Sequence, residues 1–403
     1  MRFKDFIWTS FHYCMKLLSC IFIKSSKIYV FGSWFGEKYA DNSKAMYEYY
    51  LKHSNKKCYW VTKNKNIYQM LINEKKPVIL FSSIKGIWIQ LHAKVCFVCT
   101  GDDVNLSCMG RSIMIQLWHG VGGGKKIGYD AGWYNNKWIR FFTKANTKLH
   151  KKVYWLGTSG NMRQIHKSAF HLSDDQFIIA GQPRNDLFYD SNYSFSTVNE
   201  FISDKKVILY APTHRKEGKT PIDLKKRIDL DYLDNFCKQN NILFIVKLHF
   251  YHSKEQLDTS KYTNIIDITN YKCDINELLM ISDCLISDYS SITADYLLLN
   301  KPIIYFCYDY EDYVKNDRDL YWQYSDITPG EKCNTGEELI KEIENIFTND
   351  IDKYSENRVF VRRMFYDDEC CRESASVISN YIDTLCFKKN TKVKENHNIE
   401  KND

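Results

Sequence analysis

Short unbroken apolar runs, alternating with helical segments twice over, constrain this chain more than any other feature. Ile28–Phe31, Cys58–Val61, Val78–Phe81, Val95–Thr100 and Ile113–Trp118 read as strands. Helical stretches at Lys38–His53, Ile67–Asn73 and Ile84–His92 separate the first four. After a long connection, Val153–Leu156 and Phe177–Ala180 flank a helix at Met162–Phe170. Strands with no polar alternation are buried on both faces, which predicts a parallel sheet covered by helices. The polar stretch Asp190–Thr197 then interrupts the pattern as a linker, and the alternation restarts. Strands at Val207–Ala211, Leu243–Leu248, Ile265–Ile268, Cys284–Ser287 and Ile303–Cys307 enclose helices at Tyr232–Gln239, Ile275–Ile281 and Ile292–Leu299. Helices at Glu337–Phe347 and Glu356–Cys386 close the pattern. The prediction is an α/β protein of two Rossmann-like domains whose parallel sheets face each other across a cleft. The N-terminal domain spans 28–190, and the C-terminal domain spans 198–387 and keeps the last helices. The polar tail 388–403 reads as disordered.

Residues 1–27 are aromatic, apolar and basic, but Leu17–Ile23 is far shorter than the ~20 residues of a membrane span. The segment reads equally as an interfacial membrane-docking helix and as an ordinary packed helix of the first domain. A mean hydropathy of −0.44 excludes a polytopic membrane protein. A net charge of +7 suits an anionic small substrate or lipid surface better than a dedicated nucleic-acid domain, so no nucleic-acid partner is expected. The 14 cysteines are scattered, and the single C-x-x-C, Cys96–Cys99, lies in a strand that would point the two thiols to opposite faces. No metal site is expected there. Free thiols and the lack of a cleavable signal point to a cytoplasmic setting.

Ligands of open α/β sheets sit off the carboxyl ends of strands, so chemistry is sought just after each run. His119 ends the fifth strand and is followed by Gly120, three further glycines, Lys125 and Lys126. This loop lacks the Walker A spacing, but glycines let backbone N–H groups approach a phosphate, and lysines add charge. Arg184, in GQPRND, reads either as a cleft residue or as part of a surface turn. Thr213, His214 and Arg215 leave the next strand together, and arginine suits a bidentate grip on phosphate. Lys247 and His249 close VKLH. Asp288 ends a later strand, and Ser290, Ser291 and Thr293 open a helix, either as structural caps or as an anion site. The triplets Asp229–Asp231 and Asp317–Asp319 follow no apolar strand, which disfavours a metal-dependent D-x-D transferase.

In this order the segments QLWHG, GQPRND, YAPTHR, KLH and the block Asp274–Phe306 resemble the CDP-glycerol glycerophosphotransferase family of teichoic-acid primases and polymerases. Asp317–Gly330 is similar to a further family region. Where the family usually continues H-G-T-P-L-K, this chain has HGVGGGK, and K-L-H-P becomes KLHF. The resemblance implies a GT-B-like fold, with the acceptor side on domain 28–190 and the CDP-donor side on domain 198–387, and transfer of a polyol phosphate from a CDP-polyol to a hydroxyl, releasing CMP. It implies that His119 and His249 are the key groups. In that reading His119 is the general base and His249 serves the diphosphate or the leaving CMP. Gly120, Lys125, Arg184, Thr213, Arg215, Lys247, Asp288, Ser290, Ser291 and Thr293 are the substrate- and CDP-binding candidates. The implied partners are CDP-glycerol or CDP-ribitol, a lipid-linked glycan acceptor and the inner face of the cell membrane. No protein cofactor is implied, and a Mg²⁺ carried by the substrate is compatible with it. The same fold also serves a UDP- or GDP-sugar glycosyltransferase, or a non-catalytic membrane-associated scaffold.

Overall fold

The structure, a computed structural model, describes residues 3–121, 124–133, 136–193, 204–215, 220–249, 252, 254, 256–271, 273–316 and 319–399. The chain divides into two compact units. The first is Met1–His119, Ile127–Asp186 and Tyr366–Asp403, and the second is Gly120–Lys126 and Leu187–Phe365.

The first unit runs α1 (Phe3–Ser19), β1 (Ser25–Phe31), α2 (Asp41–His53), β2 (Lys57–Thr62), α3 (Lys65–Asn73), β3 (Val78–Leu80), α4 (Ile84–His92), β4 (Ala93–Val98) and β5 (Ile113–Gln116). It continues with α5 (Lys137–Lys148), β6 (Lys152–Leu156), α6 (Gly160–Phe170) and β7 (Phe177–Ile178). Its seven strands lie in the order β3-β2-β1-β4-β5-β6-β7, every pair parallel. Side chains alternate between two cores as the pleat requires. Tyr29, Phe31, Val95, Phe97 and Cys99 join one cluster with Tyr47 and Tyr50 of α2, whereas Val30, Cys96 and Val98 join another with Ile89 of α4. Phe31 and Phe97 stack with centroids 4.5 Å apart, and each such buried ring contributes about 1.5–3 kcal/mol. Cys96 and Cys99 therefore face opposite sides of the sheet, and burial pushes both thiols up. Among the described residues no group of His, Cys, Asp and Glu could hold a metal ion.

The second unit runs β8 (Lys206–Tyr210), α7 (Leu230–Gln239), β9 (Ile242–Val246), β10 (Ile265–Asp267), α8 (Ile275–Ile281), β11 (Cys284–Ser287), α9 (Ile292–Tyr296) and β12 (Ile303–Phe306). Then follow α10 (Tyr310–Asn316), β13 (Glu331–Cys333), α11 (Gly336–Phe347) and α12 (Ser355–Phe365). Its six parallel strands lie in the order β10-β9-β8-β11-β12-β13. Strand order reverses between β1 and β4 in the first sheet and between β8 and β11 in the second. These reversals are where open α/β sheets bind ligands.

The C-terminal region departs from the expected boundaries. The single helix expected over Glu356–Cys386 is two. α12 ends at Phe365, the turn Asp368–Cys370 intervenes, and α13 spans Ser374–Ile399. α13 belongs to the first unit, because Ala375, Ile378 and Ile382 complete the core around Tyr29 and Phe97. α5, α10 and β13 are further elements that the apolar pattern did not mark.

α1 packs by one face into the first unit. Its Lys16 is buried, with Nζ 2.9 Å from His150 Nε2, and Ser19 Oγ accepts the Gly110 N–H at 2.9 Å. Desolvation lowers the Lys16 ammonium to about 8. Ile7, Phe11, Met15 and Leu18 on the other face stay exposed. No helix among the described residues is long and apolar enough to cross a membrane.

Candidate functional site

In the first unit, the end of β5 is held rigidly. Gln116 donates through Nε2 to Thr100 O at 2.7 Å and accepts the Trp118 N–H at 3.0 Å. Trp118 sits at φ +58, a left-handed conformation that costs an aromatic residue roughly 1–3 kcal/mol. Trp34 and Phe35 beyond β1, and Asp41 at the start of α2, are also left-handed. Such clustered strain persists only where surrounding contacts enforce it. Here Asp103 accepts the N–H groups of Phe35, Cys99 and Thr100 at 2.6–2.7 Å.

His119 lies against this frame. Its Nδ1 is 3.1 Å from Cys99 O, so Nδ1 carries the proton and donates, leaving Nε2 with the lone pair. The imidazole stacks on Trp118, with centroids 4.6 Å apart and 29° between the planes, and meets Trp34 at 5.6 Å. Trp118 is itself boxed by Trp155, His166 and Phe170. A half-exposed histidine with fixed tautomer and fixed plane at a strand end has what a general base needs.

Arg184 is placed in the same neighbourhood, but as a strut. Its guanidinium donates to Asp41 Oδ1 at 2.9 Å, and its N–H donates to Asn42 Oδ1 at 3.1 Å. Asn42 in turn donates to Trp118 O at 3.0 Å and to Gln182 Oε1. The rest of GQPRND docks the final helix. A Cβ on Gly181 would collide with Cys370 O, and Asp186 accepts the N–H groups of Ser374 and Ala375, each at 2.8 Å, at the start of α13. Thus a motif that reads as a turn or a cleft element is largely a packing hub of the first unit.

In the second unit, Thr213 and Asp288 bridge the reversal between β8 and β11: the Thr213 N–H donates to Asp288 Oδ1 at 2.8 Å. Arg215 was expected to grip phosphate. Instead it is buried between Asp309 Oδ2 at 2.5 Å and Asp288 Oδ2 at 2.8 Å, with Tyr289, Tyr308 and Tyr313 around its guanidinium. Lys247 was also expected at phosphate, and its Nζ donates to the carbonyls of Ile268, Thr269 and Tyr271 at 2.9, 3.3 and 2.6 Å. An ammonium has three donors, and these carbonyls use them. Both cations are latches for strand-end loops in this structure.

His249 stands beside His214, with ring centroids 4.8 Å apart and planes tilted by 49°. Sequence reading left His214 outside the candidate set, although it precedes Arg215 directly. Only the parallel pairing of β8 with β9 brings the two imidazoles together. The neighbouring His252 is fully buried, and its Nε2 accepts the Arg215 N–H at 3.2 Å. Ser290 and Ser291 are half-buried before α9, and Thr293 turns its hydroxyl to Ser290 O at 2.9 Å.

The described residues of the glycine loop after His119 are held by backbone contacts. Gly120, at φ +124, carries the chain into the second unit, where Lys125 pairs with Leu320 as an antiparallel bridge. The Tyr321 N–H donates to Gly124 O at 2.6 Å, and the Lys126 N–H donates to Asp319 O at 2.8 Å. Gly124 sits at φ +77, where a Cβ would lie 2.5 Å from Ile327 Cδ1. Lys125 Nζ donates to Tyr313 OH and lies over that ring. Loop, α10 and the 319–328 segment enclose a cavity of about 570 Å³ that Asp288, Ser290 and Thr293 also line.

Residues 13–382 match the family described as CDP-Glycerol:Poly(glycerophosphate) glycerophosphotransferase. The chain is 31% identical, over 90% of its length, to a teichoic acid poly(glycerol phosphate) polymerase of Staphylococcus epidermidis, and it spans 50% of that protein's length. It is 33% identical to the teichoic acid glycerol-phosphate primase of Bacillus subtilis, over 79% of this chain and 80% of the primase. The solved structure of the wall teichoic acid polymerase TagF superposes with a TM-score of 0.72 at 27% identity, covering 95% of each chain.

Proposed function

Since the chain belongs to the CDP-glycerol:poly(glycerophosphate) glycerophosphotransferase family, we propose that it transfers a polyol phosphate, glycerol phosphate first, from a CDP-polyol to a hydroxyl of a lipid-linked glycan. The observation that carries this reading is His119, whose Nδ1–H is anchored on Cys99 O so that Nε2 is the proton acceptor. The acceptor oxygen attacks the phosphorus nearer the polyol, and the bond from that phosphorus to the CMP oxygen breaks. Nε2 takes the acceptor's proton, and the electron pair leaves with CMP. A base of this kind contributes about 10²–10⁴-fold in rate. His249, paired with His214, supplies positive charge or a proton to the departing phosphate. Thr213, Ser290 and Ser291 offer donors at the sheet reversal. Arg215 and Lys247 support this surface from beneath rather than touching substrate. The product assay is direct: mass spectrometry of the acceptor after incubation with CDP-glycerol shows the mass of added glycerol phosphate, and an unmodified acceptor contradicts the reading.

A lipid-linked acceptor would call for a membrane-facing surface, and exposed apolar residues of the first unit support that reading. α1 exposes Ile7, Phe11, Met15 and Leu18, while α5 exposes Trp138 and Phe141 beside Lys137, Arg140 and Lys144. Tyr13 of α1 meets Phe142 of α5 at 6.1 Å, so the two helices lie side by side. An apolar, aromatic face fringed by cations suits the headgroup boundary of an anionic bilayer. Burying one large side chain contributes about 1.5–3 kcal/mol, so Phe11→Glu with Phe141→Glu lowers binding to anionic vesicles about tenfold or more. Unchanged co-flotation of this double variant contradicts the assignment.

A further inference from the structure

His119 meets two indoles, Trp118 and Trp34, and each is held by a different member of one dipeptide, Asp41–Asn42 at the start of α2. Asn42 is fully buried, and a side-chain amide stays in such a place only when its hydrogen bonds are met. Its Nδ2 donates to Trp118 O at 3.0 Å, and its Oδ1 accepts the Arg184 N–H at 3.1 Å. A backbone carbonyl only accepts and a backbone N–H only donates, so these partners fix which way the amide points. Trp118 O belongs to the same peptide group as the His119 nitrogen. The peptide on the other side of Trp118 is held by Gln116 Oε1, which accepts the Trp118 N–H at 3.0 Å. Side-chain amides thus grip both peptides around a residue held at φ +58. That conformation is sparsely populated for an aromatic residue and relaxes when its restraints are cut. Relaxation turns the Trp118 carbonyl and His119 together and takes Nδ1 away from Cys99 O.

Asp41 holds the second indole. Its Oδ2 accepts the Trp34 Nε1–H at 3.2 Å, and its Oδ1 accepts the Asn42 N–H at 2.8 Å. Arg184 closes the bracket, since its guanidinium pairs with Asp41 Oδ1 at 2.9 Å while its N–H reaches Asn42. We propose that Asp41 and Asn42 are the positioning residues of His119, Asp41 through Trp34 and Asn42 through Trp118. They set the plane and tautomer of the imidazole and act on the reaction only through those rings. This rests on the transferase reading above, in which His119 is the base. A group misplaced by about 1 Å can lose on the order of 10²-fold in rate.

The test reads His119 directly. Full-length chain carrying isotopically labelled histidine is studied by nitrogen NMR with the imidazoles neutral, and the His119 signals are those lost in His119→Asn. The parent shows a single tautomer, protonated at Nδ1. Asn42→Ala and Trp34→Phe convert it to a mixture of tautomers, with circular dichroism reporting whether each variant is folded. The same variants lower kcat for CMP release about tenfold or more and leave the KM for CDP-glycerol unchanged. A merely structural role lowers the amount of folded enzyme and leaves the tautomer alone. A mixture already in the parent, or parent-like His119 signals in folded Asn42→Ala, overturns the proposal. So does parent-like kcat in that variant when His119→Ala is inactive. If Asn42→Ala does not fold, Trp34→Phe decides by the same criteria, because it keeps a ring at a half-buried position. The tautomer needs no turnover, so an altered tautomer together with normal turnover in His119→Ala overturns the base assignment and leaves the bracket standing.

Discussion

His119→Ala lowers the turnover number for polyol-phosphate transfer by about 10²–10⁴-fold and leaves the KM for the CDP donor nearly unchanged. The size of the loss is that expected of the proposed base, which would accept a proton only as the acceptor oxygen attacks. The split between the two constants follows from the proposed role, since a base that acts only in the transition state adds nothing to donor binding. Steady-state kinetics with CMP release as the readout measures both. A variant that binds donor weakly but turns over normally contradicts the base assignment. His119→Asn is the more discriminating substitution, because its amide can still donate to Cys99 O and hold the local frame while lacking the basic nitrogen. Its loss should match that of alanine. Recovery of activity in His119→Asn marks the residue as a positioning group instead.

Arg215→Met destabilises the second unit by about 3–5 kcal/mol, because it strands the carboxylates of Asp288 and Asp309 in a buried setting. The residue is 6% exposed and enclosed by tyrosines, so water cannot take over the lost partner. Denaturant unfolding followed by tryptophan fluorescence measures the change. Adding Asp309→Asn to the variant restores part of the loss, since one stranded charge is removed. If Arg215 instead served as the phosphate clamp that its sequence position suggested, Arg215→Met would weaken CDP binding with little change in the unfolding midpoint. That outcome would contradict the latch.

The parallel sheets were readable because their strands are continuous apolar runs, a pattern that survives without tertiary information. Ile275–Ile281 and Cys284–Ser287 fall where the sequence puts them. α5 was missed because its large apolar residues, Trp138, Phe141 and Phe142, span little more than one turn, and β13 because three residues, one of them buried Cys333, carry too little pattern. The break between α12 and α13 was hidden for another reason: Gly181, Asp186 and Thr158, far away in sequence, set it. In the candidate site, position was legible and the contact partners were not. Each of Arg184, Arg215 and Lys247 stands just beyond or at a strand end, as expected. Their partners, however, are Asp41, Asp309 and the 268–271 carbonyls, which no local pattern announces. His214 shows the converse, since its proximity to His249 is a product of strand pairing alone.

CMP release is the measurement that bears most directly on the account. Purified full-length chain is given CDP-glycerol and CDP-ribitol in parallel, with a lipid-linked glycan or its soluble mimic, alongside His119→Ala and His249→Ala. The account predicts acceptor-dependent CMP release from a CDP-polyol, CDP-glycerol foremost, lost in both variants. No release from either donor, with a UDP- or GDP-sugar turned over in their place, would contradict it.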